Sequence, residues 1–135
     1  MGKHELRRRK YGARYSETRT TTDLIVLAER ILADLLKEDE RLPSGVECSM
    51  YVLGGVLLQV QVGGLADDFT FIDRTTGLYS RQGQDLIAYL ASCMDSYNWT
   101  NPDDLADRRF FTSVYLLAES EHRSAHWLPG VVAVF

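Results

Sequence analysis

Glu121-His122-Arg123-Ser124-Ala125-His126 sets two imidazoles four residues apart, the spacing that puts both on one helix face within reach of a transition metal. The flanks oppose that use. Pro129 and Gly130 follow closely, the segment lies between two strand-like runs, and the glutamate precedes the first histidine instead of following it as in the zinc-protease pattern. Cys48 and Cys93 do not stand at a spacing that would complete such a site. No metal and no cofactor is therefore expected, and a small metal-dependent enzyme using His122 and His126 is the third of three functional readings.

The acidic residues Asp103, Asp104 and Asp107, with Asp67, Asp68 and Asp73, have the chemistry to hold a divalent cation or to imitate a phosphate array. Helix capping and loop solvation explain them more simply, since Asp103 and Asp104 follow Pro102 where the positive end of a helix would lie. There is no serine in a nucleophile elbow, no phosphate loop and no dinucleotide fingerprint, because the glycine pairs 54–55 and 63–64 lead into strand or acidic loop. Asn98-Trp99-Thr100 matches a glycosylation acceptor, but with no export signal in the sequence it is read as chance. Trp99 and Trp127, with Asp103, Asp104 and Asp107, are the candidate partner-binding residues.

Charge is distributed unevenly. The chain of 135 residues has a net charge of −4, but its first twenty residues hold seven Lys or Arg against two Glu, a net of +5 that leaves −9 for the rest. The basic stretch runs through Lys3, Arg7, Arg8, Arg9, Lys10 and Arg14 to Arg19, with Leu6 its one aliphatic residue larger than Ala. Such a segment is expected to form a flexible arm over residues 1–19 that contacts phosphates, with Tyr11 and Tyr15 available to stack on bases, or simply to remain solvated. Two cysteines, Cys48 in a strand-like run and Cys93 in a helix-like one, suit reduced buried thiols. With no apolar block after Met1 and no uncharged run of about 18 residues, the expectation is a small acidic cytoplasmic protein without a membrane segment.

The elements that must position these groups follow from periodicity. Leu24, Leu27, Ala28, Ile31, Leu32, Leu35 and Leu36 recur at helical spacing, with Thr21 or Thr22 to cap the start, Asp23 favouring it, and Pro43 and Gly45 to stop the run. Acidic Glu38, Asp39 and Glu40 oppose the dipole at the far end, so fraying is expected beyond Lys37. Val46–Leu53 and Val56–Val62 read as a hairpin about Gly54-Gly55. A two-residue loop would set Met50 opposite Gln59 and Cys48 opposite Gln61; a shift by one sets Met50 against Val60 and Cys48 against Val62. That alternation predicts an odd-numbered loop or a bulge. Gly63-Gly64 and Asp67-Asp68 read as a loop, Phe69–Ile72 as a short strand, 84–97 as a second helix, Asn101-Pro102 as a helix start through Arg108, Phe110–Ala118 as a central strand and 131–135 as a final strand.

From residue 20 to 118 the order of a helix, Gly45-Val46-Glu47-Cys48-Ser49-Met50, a glycine turn, a strand ending Gly63-Gly64, a helix closing on Ser96-Tyr97-Asn98, and Asp104-Leu105-Ala106-Asp107 before Phe110-Phe111 resembles the small domains associated with large polyvalent proteins of phages and conjugative elements. The resemblance implies a mobile-element protein made in a bacterial host, with no catalytic residues to carry over; the segment 119–135 is extra to it. The expected fold is one α+β domain over residues 20–135, two main helices on one face of a four- or five-stranded, mainly antiparallel sheet. The expected function is non-enzymatic binding of a host- or element-encoded protein, the alternative being a nucleic-acid-binding accessory protein that uses the basic arm.

Overall fold

A computed structural model describes residues 9–37, 41–73, 75–119 and 128–134. Two strands of strong alternation form its centre. β2 (Glu47–Leu53) and β3 (Leu57–Leu65) pair antiparallel with Leu53 opposite Leu57, Val52 opposite Leu58, Met50 opposite Val60 and Cys48 opposite Val62. The loop is Gly54-Gly55-Val56, an odd number of residues as the alternation predicts, and both glycines take positive φ (60° and 70°), which residues with a Cβ rarely adopt. Three residues in the loop keep Cys48, Met50, Val52, Leu58, Val60 and Val62 on one face.

Two further strands extend this hairpin into a sheet of order β8-β3-β2-β9. β8 (Phe111–Ala118) runs parallel to β3, and β9 (Gly130–Val134) parallel to β2. The apolar row Val114–Val60–Met50–Val131 therefore crosses all four strands on the inner face, with Leu116, Val62 and Cys48 in the next row. Of the six strand pairings among the described residues four are antiparallel, but this sheet is mixed: the long crossover from β3 to β8 returns the chain to the end where β3 began. Phe111–Ala118, expected at the centre, is an edge, because the local hairpin already occupies both central positions.

The inner face is covered by α1 (Leu24–Lys37) and α3 (Arg81–Asp95). α1 buries Leu27, Ala28, Ile31, Leu32 and Leu35; α3 buries Leu86, Leu90 and Met94, all in one core with the sheet. Each buried Leu, Ile or Met among these contributes about 1.5–3 kcal/mol of burial free energy. Asp23 itself caps α1, its carboxylate accepting from Ile25 N at 2.8 Å, and Ser80 Oγ caps α3 by accepting from Gly83 N at 3.0 Å. Between sheet and α3 lie a single-turn helix α2 (Asp67–Thr70) and the small hairpin β4 (Phe71–Asp73) and β5 (Leu78–Tyr79). Phe69–Ile72 is thus half helix and half strand, and Gly63-Gly64 continues β3 through an irregular pairing with β8 instead of forming a loop.

A second sheet, β1 (Lys10–Tyr11), β6 (Trp99–Asn101) and β7 (Asp104–Arg108), stands beside the first. Here the expected helix start at Asn101-Pro102 is a strand turn. Asn101 Oδ1 accepts from Asp103 N at 3.0 Å, and Asn101 Nδ2 donates to Asp107 at 3.2 Å. Asn followed by Pro suits the first two positions of a turn as well as a cap, and pairing with β1 selects the turn. No helix among the described residues is long and apolar enough to cross a membrane.

If the register sets the core face, truncating the two faces of β2 and β3 has unequal effects. Met50→Ala is expected to lower the unfolding free energy by about 2–5 kcal/mol in urea titration, and Gln59→Ala, from the opposite face, by under about 1 kcal/mol.

Candidate functional site

The basic segment from Arg9 onward is built into the fold. Gly12 N donates to Asn98 O and Arg14 N to Ser96 O, each at 2.8 Å, continuing the pairing of β1 with β6. A Cβ on Gly12 would lie 2.3 Å from the Asp95 carbonyl oxygen, so this close approach requires glycine. Residues 9–19 are consequently not the flexible arm the composition suggests: they form a strand, a 3-10 turn (Tyr15–Thr18) and a set of ion pairs. Lys3, Arg7 and Arg8 lie outside the described residues, as do His122, His126 and Trp127 and the expected fraying at 38–40.

One predicted nucleic-acid residue, Arg9, meets two predicted partner residues, Asp107 and Trp99. Arg9 grips Asp107 with two hydrogen bonds, 2.9 and 3.3 Å, and its guanidinium lies 3.7 Å over the Trp99 ring. The Arg9 bond, helped by that from Asn101, holds the Asp107 carboxyl below the usual range. Lys10 is exposed on β1. Asp104 accepts from Ala106 N at 3.1 Å, and Asp103 sits in the turn before it.

Arg14 joins a second cluster, where the segment meets α1 and the end of α3. Arg14 bonds Glu17 at 3.0 Å and lies 3.3 Å from Asp34; Arg30 bonds Asp34 at 2.9 Å and Glu17 at 2.7 Å. The buried Tyr97 hydroxyl donates to the same Asp34 carboxylate. Burial by itself would raise the Asp34 carboxyl, but the bonds from Tyr97 and Arg30, with the charges of Arg14 and Arg30, outweigh it and hold the group below its ordinary value. Burial, then the Asp34 carboxylate, pushes the Tyr97 phenol far up. Asp34 stays ionised and Tyr97 neutral at neutral pH, so neither is poised there to exchange a proton. Beside them a cleft of about 250 Å³ between α1 and α3 is lined by Leu35, Tyr89 and Cys93 among others. Cys93 is half-buried and Cys48 is buried, its thiol pushed up to about 11 by burial; the two form no disulfide. No group of three or more His, Cys, Asp or Glu among the described residues is placed to hold a metal ion.

A third cation anchors the same segment from below. Arg109, just before β8, donates to Thr18 Oγ1 at 3.0 Å, Tyr97 O at 2.7 Å, Thr18 O at 2.5 Å and Thr21 O at 2.8 Å. Burial lowers its pKa, yet guanidinium remains charged in proteins. Nothing in local sequence marks this residue, because three of its four bonds go to Thr18 and Thr21, some ninety positions away. Asn98, the apparent glycosylation acceptor, is buried: its amide donates to Asp95 and Phe110 O and accepts from Trp99 N and Phe110 N, tying α3 to β6 and β8.

The opposite face of the main sheet carries the alternate residues. One row runs Phe111–Leu57–Leu53–Val134, and the next Ser113–Gln59–Tyr51–Val132. Phe111 is 38% exposed, Tyr115 43% and Val134 48%. Gln61 Nε2 donates to Gln59 and Gln59 Nε2 to Ser113 Oγ, a neutral ladder across the strands. Arg108 lies 5.1 Å over the Phe111 ring at the margin. Tyr51, Leu53 and Leu57 are visible in the sequence as alternates, but the row appears only when β8 and β9 flank them. No protein-family model, no curated protein and no solved structure matches the chain.

Two measurements follow from these clusters. Because the folded pKa of Asp34 is lowered, its stabilisation is complete above the ordinary aspartate value of about 3.9 and is lost as pH falls through the folded value. Asp34→Asn is therefore expected to cost about 1–3 kcal/mol at neutral pH, with the gap from the unsubstituted protein closing in acid titrations of stability. Arg109→Leu removes a donor from three main-chain oxygens and is expected to speed hydrogen exchange across residues 9–23, read by mass spectrometry, ahead of exchange in β2 and β3.

Proposed function

We propose that this protein acts by binding, as a non-enzymatic accessory protein whose partner is a protein encoded by a phage, a conjugative element or its bacterial host, the setting the resemblance implies. The observation that carries this reading is the apolar row Phe111–Leu57–Leu53–Val134 on the face of the sheet opposite α1 and α3, with Tyr51 in the next row and Tyr115 in the one beyond. Aromatic and aliphatic side chains bordered by uncharged amides match the centre of a protein interface, where charge is depleted and rings are enriched. Val56, 55% exposed at the hairpin tip, extends the row.

A nucleic acid is the weaker match for this surface. Phosphate recognition depends on cations, each contact adding to a steep salt dependence. Gln59, Gln61 and Ser113 are neutral, Arg108 stands at the margin over Phe111, and Arg9 and Arg14 are paired with carboxylates. Asp103, Asp104 and Asp107 flank the second sheet and are not part of the row.

The expected experiment is affinity capture from bacterial lysate with the unsubstituted protein and with the double variant Phe111→Glu, Tyr115→Glu. Both side chains are substantially exposed, so the variant should keep its melting temperature. A specific protein retained at moderate salt by the first and lost by the second supports the reading. Equal retention by both overturns the assigned face, and capture of nucleic acid that disappears with rising salt favours the alternative.

A further inference from the structure

Beside the anchored N-terminal segment lies a cavity of about 330 Å³ whose lining includes Arg19, Thr21, Thr22, Leu24, Trp99 and Arg109. Its charge is one-sided. Both cationic side chains are arginines, and no carboxylate belongs to the lining. Arg19 makes no hydrogen bond or ion pair with any described residue. Arg109 bonds through its two terminal nitrogens to neutral oxygens alone, so its charge meets no acid among the described residues and its Nε–H has no acceptor there. The hydroxyls of Thr21 and Thr22 likewise make no hydrogen bond among the described residues. Arg9, Arg14 and Arg30 are each balanced by Asp or Glu; Arg19 and Arg109 are not, in a chain whose residues 21–135 carry a net −9.

From this juxtaposition we infer that the cavity binds a small organic phosphate, its phosphate on Arg19, the Arg109 Nε–H and the threonine hydroxyls, its organic part against Leu24 and Trp99. A dianion between two guanidinium groups that line one cavity accepts several charge-assisted hydrogen bonds and meets no competing carboxylate in the lining. The volume is at the lower end of ligand pockets and well above what a bare phosphate fills. Arg109 is fixed by four bonds before any ligand arrives, which spares the ordering cost that a free side chain would bear. The site is separate from the apolar sheet face and does not depend on the protein-partner reading.

The test uses the full chain and adenosine monophosphate as probe, with inorganic phosphate and adenosine as comparators, by isothermal titration calorimetry at low salt. Saturable binding is expected, tightest for the nucleotide, weaker for phosphate and weakest for adenosine. Arg19 is exposed, so Arg19→Glu should fold normally and weaken nucleotide binding by about ten- to a hundredfold, the worth of one charge-assisted hydrogen bond. Arg19→Lys should recover part of that loss. No saturable binding at millimolar nucleotide, adenosine binding as tightly as the nucleotide, or affinity unchanged in Arg19→Glu would each overturn the inference.

Discussion

With three residues between β2 and β3, Leu53 stands opposite Leu57, and each later pair follows from that contact: Met50 meets Val60, Cys48 meets Val62. A loop one residue shorter would set glutamines against these apolar side chains and leave the inner face unable to receive α1 and α3. Both faces of the sheet depend on this choice. The inner face becomes core, and Tyr51, Gln59, Leu53 and Leu57 turn outward, where β8 and β9 add Phe111 and Val134 to complete the row.

Positive charge in the N-terminal segment has a different use from the one its composition suggests. Arg9 and Arg14 face Asp107, Glu17 and Asp34, and Arg109 binds the segment's own carbonyls from the body of the protein. What looks like a tail is held in place by contacts at both ends, with Gly12 allowing the backbone to lie against the end of α3. Arg19, at the end of that run, keeps a charge that no described acid neutralises.

The register of the hairpin was legible because it depends on alternation within seventeen residues, and α1 was legible because its stripe repeats at 3.6-residue spacing. Asn101-Pro102 misled because the same two residues begin a helix or a turn, and the deciding partner, β1, lies about ninety positions earlier. Phe110–Ala118 has the composition of a central strand; only the sheet order, a global property, places it at an edge. The candidate sites were less legible than the fold. Asp107 and Trp99 look available until Arg9 is brought to them, and Arg109 has no neighbour in sequence that announces its role.

Trp99 lies beneath the Arg9 guanidinium at 3.7 Å, while its strand pairs with Tyr11. A cation held against an indole face perturbs its excited state, so docking of the N-terminal segment is coupled to an intrinsic fluorophore. Release of Arg9 would uncover that indole face and change the emission of Trp99. The molecule thus carries an optical gauge of whether its first strand is seated, readable in stopped-flow traces with no added label.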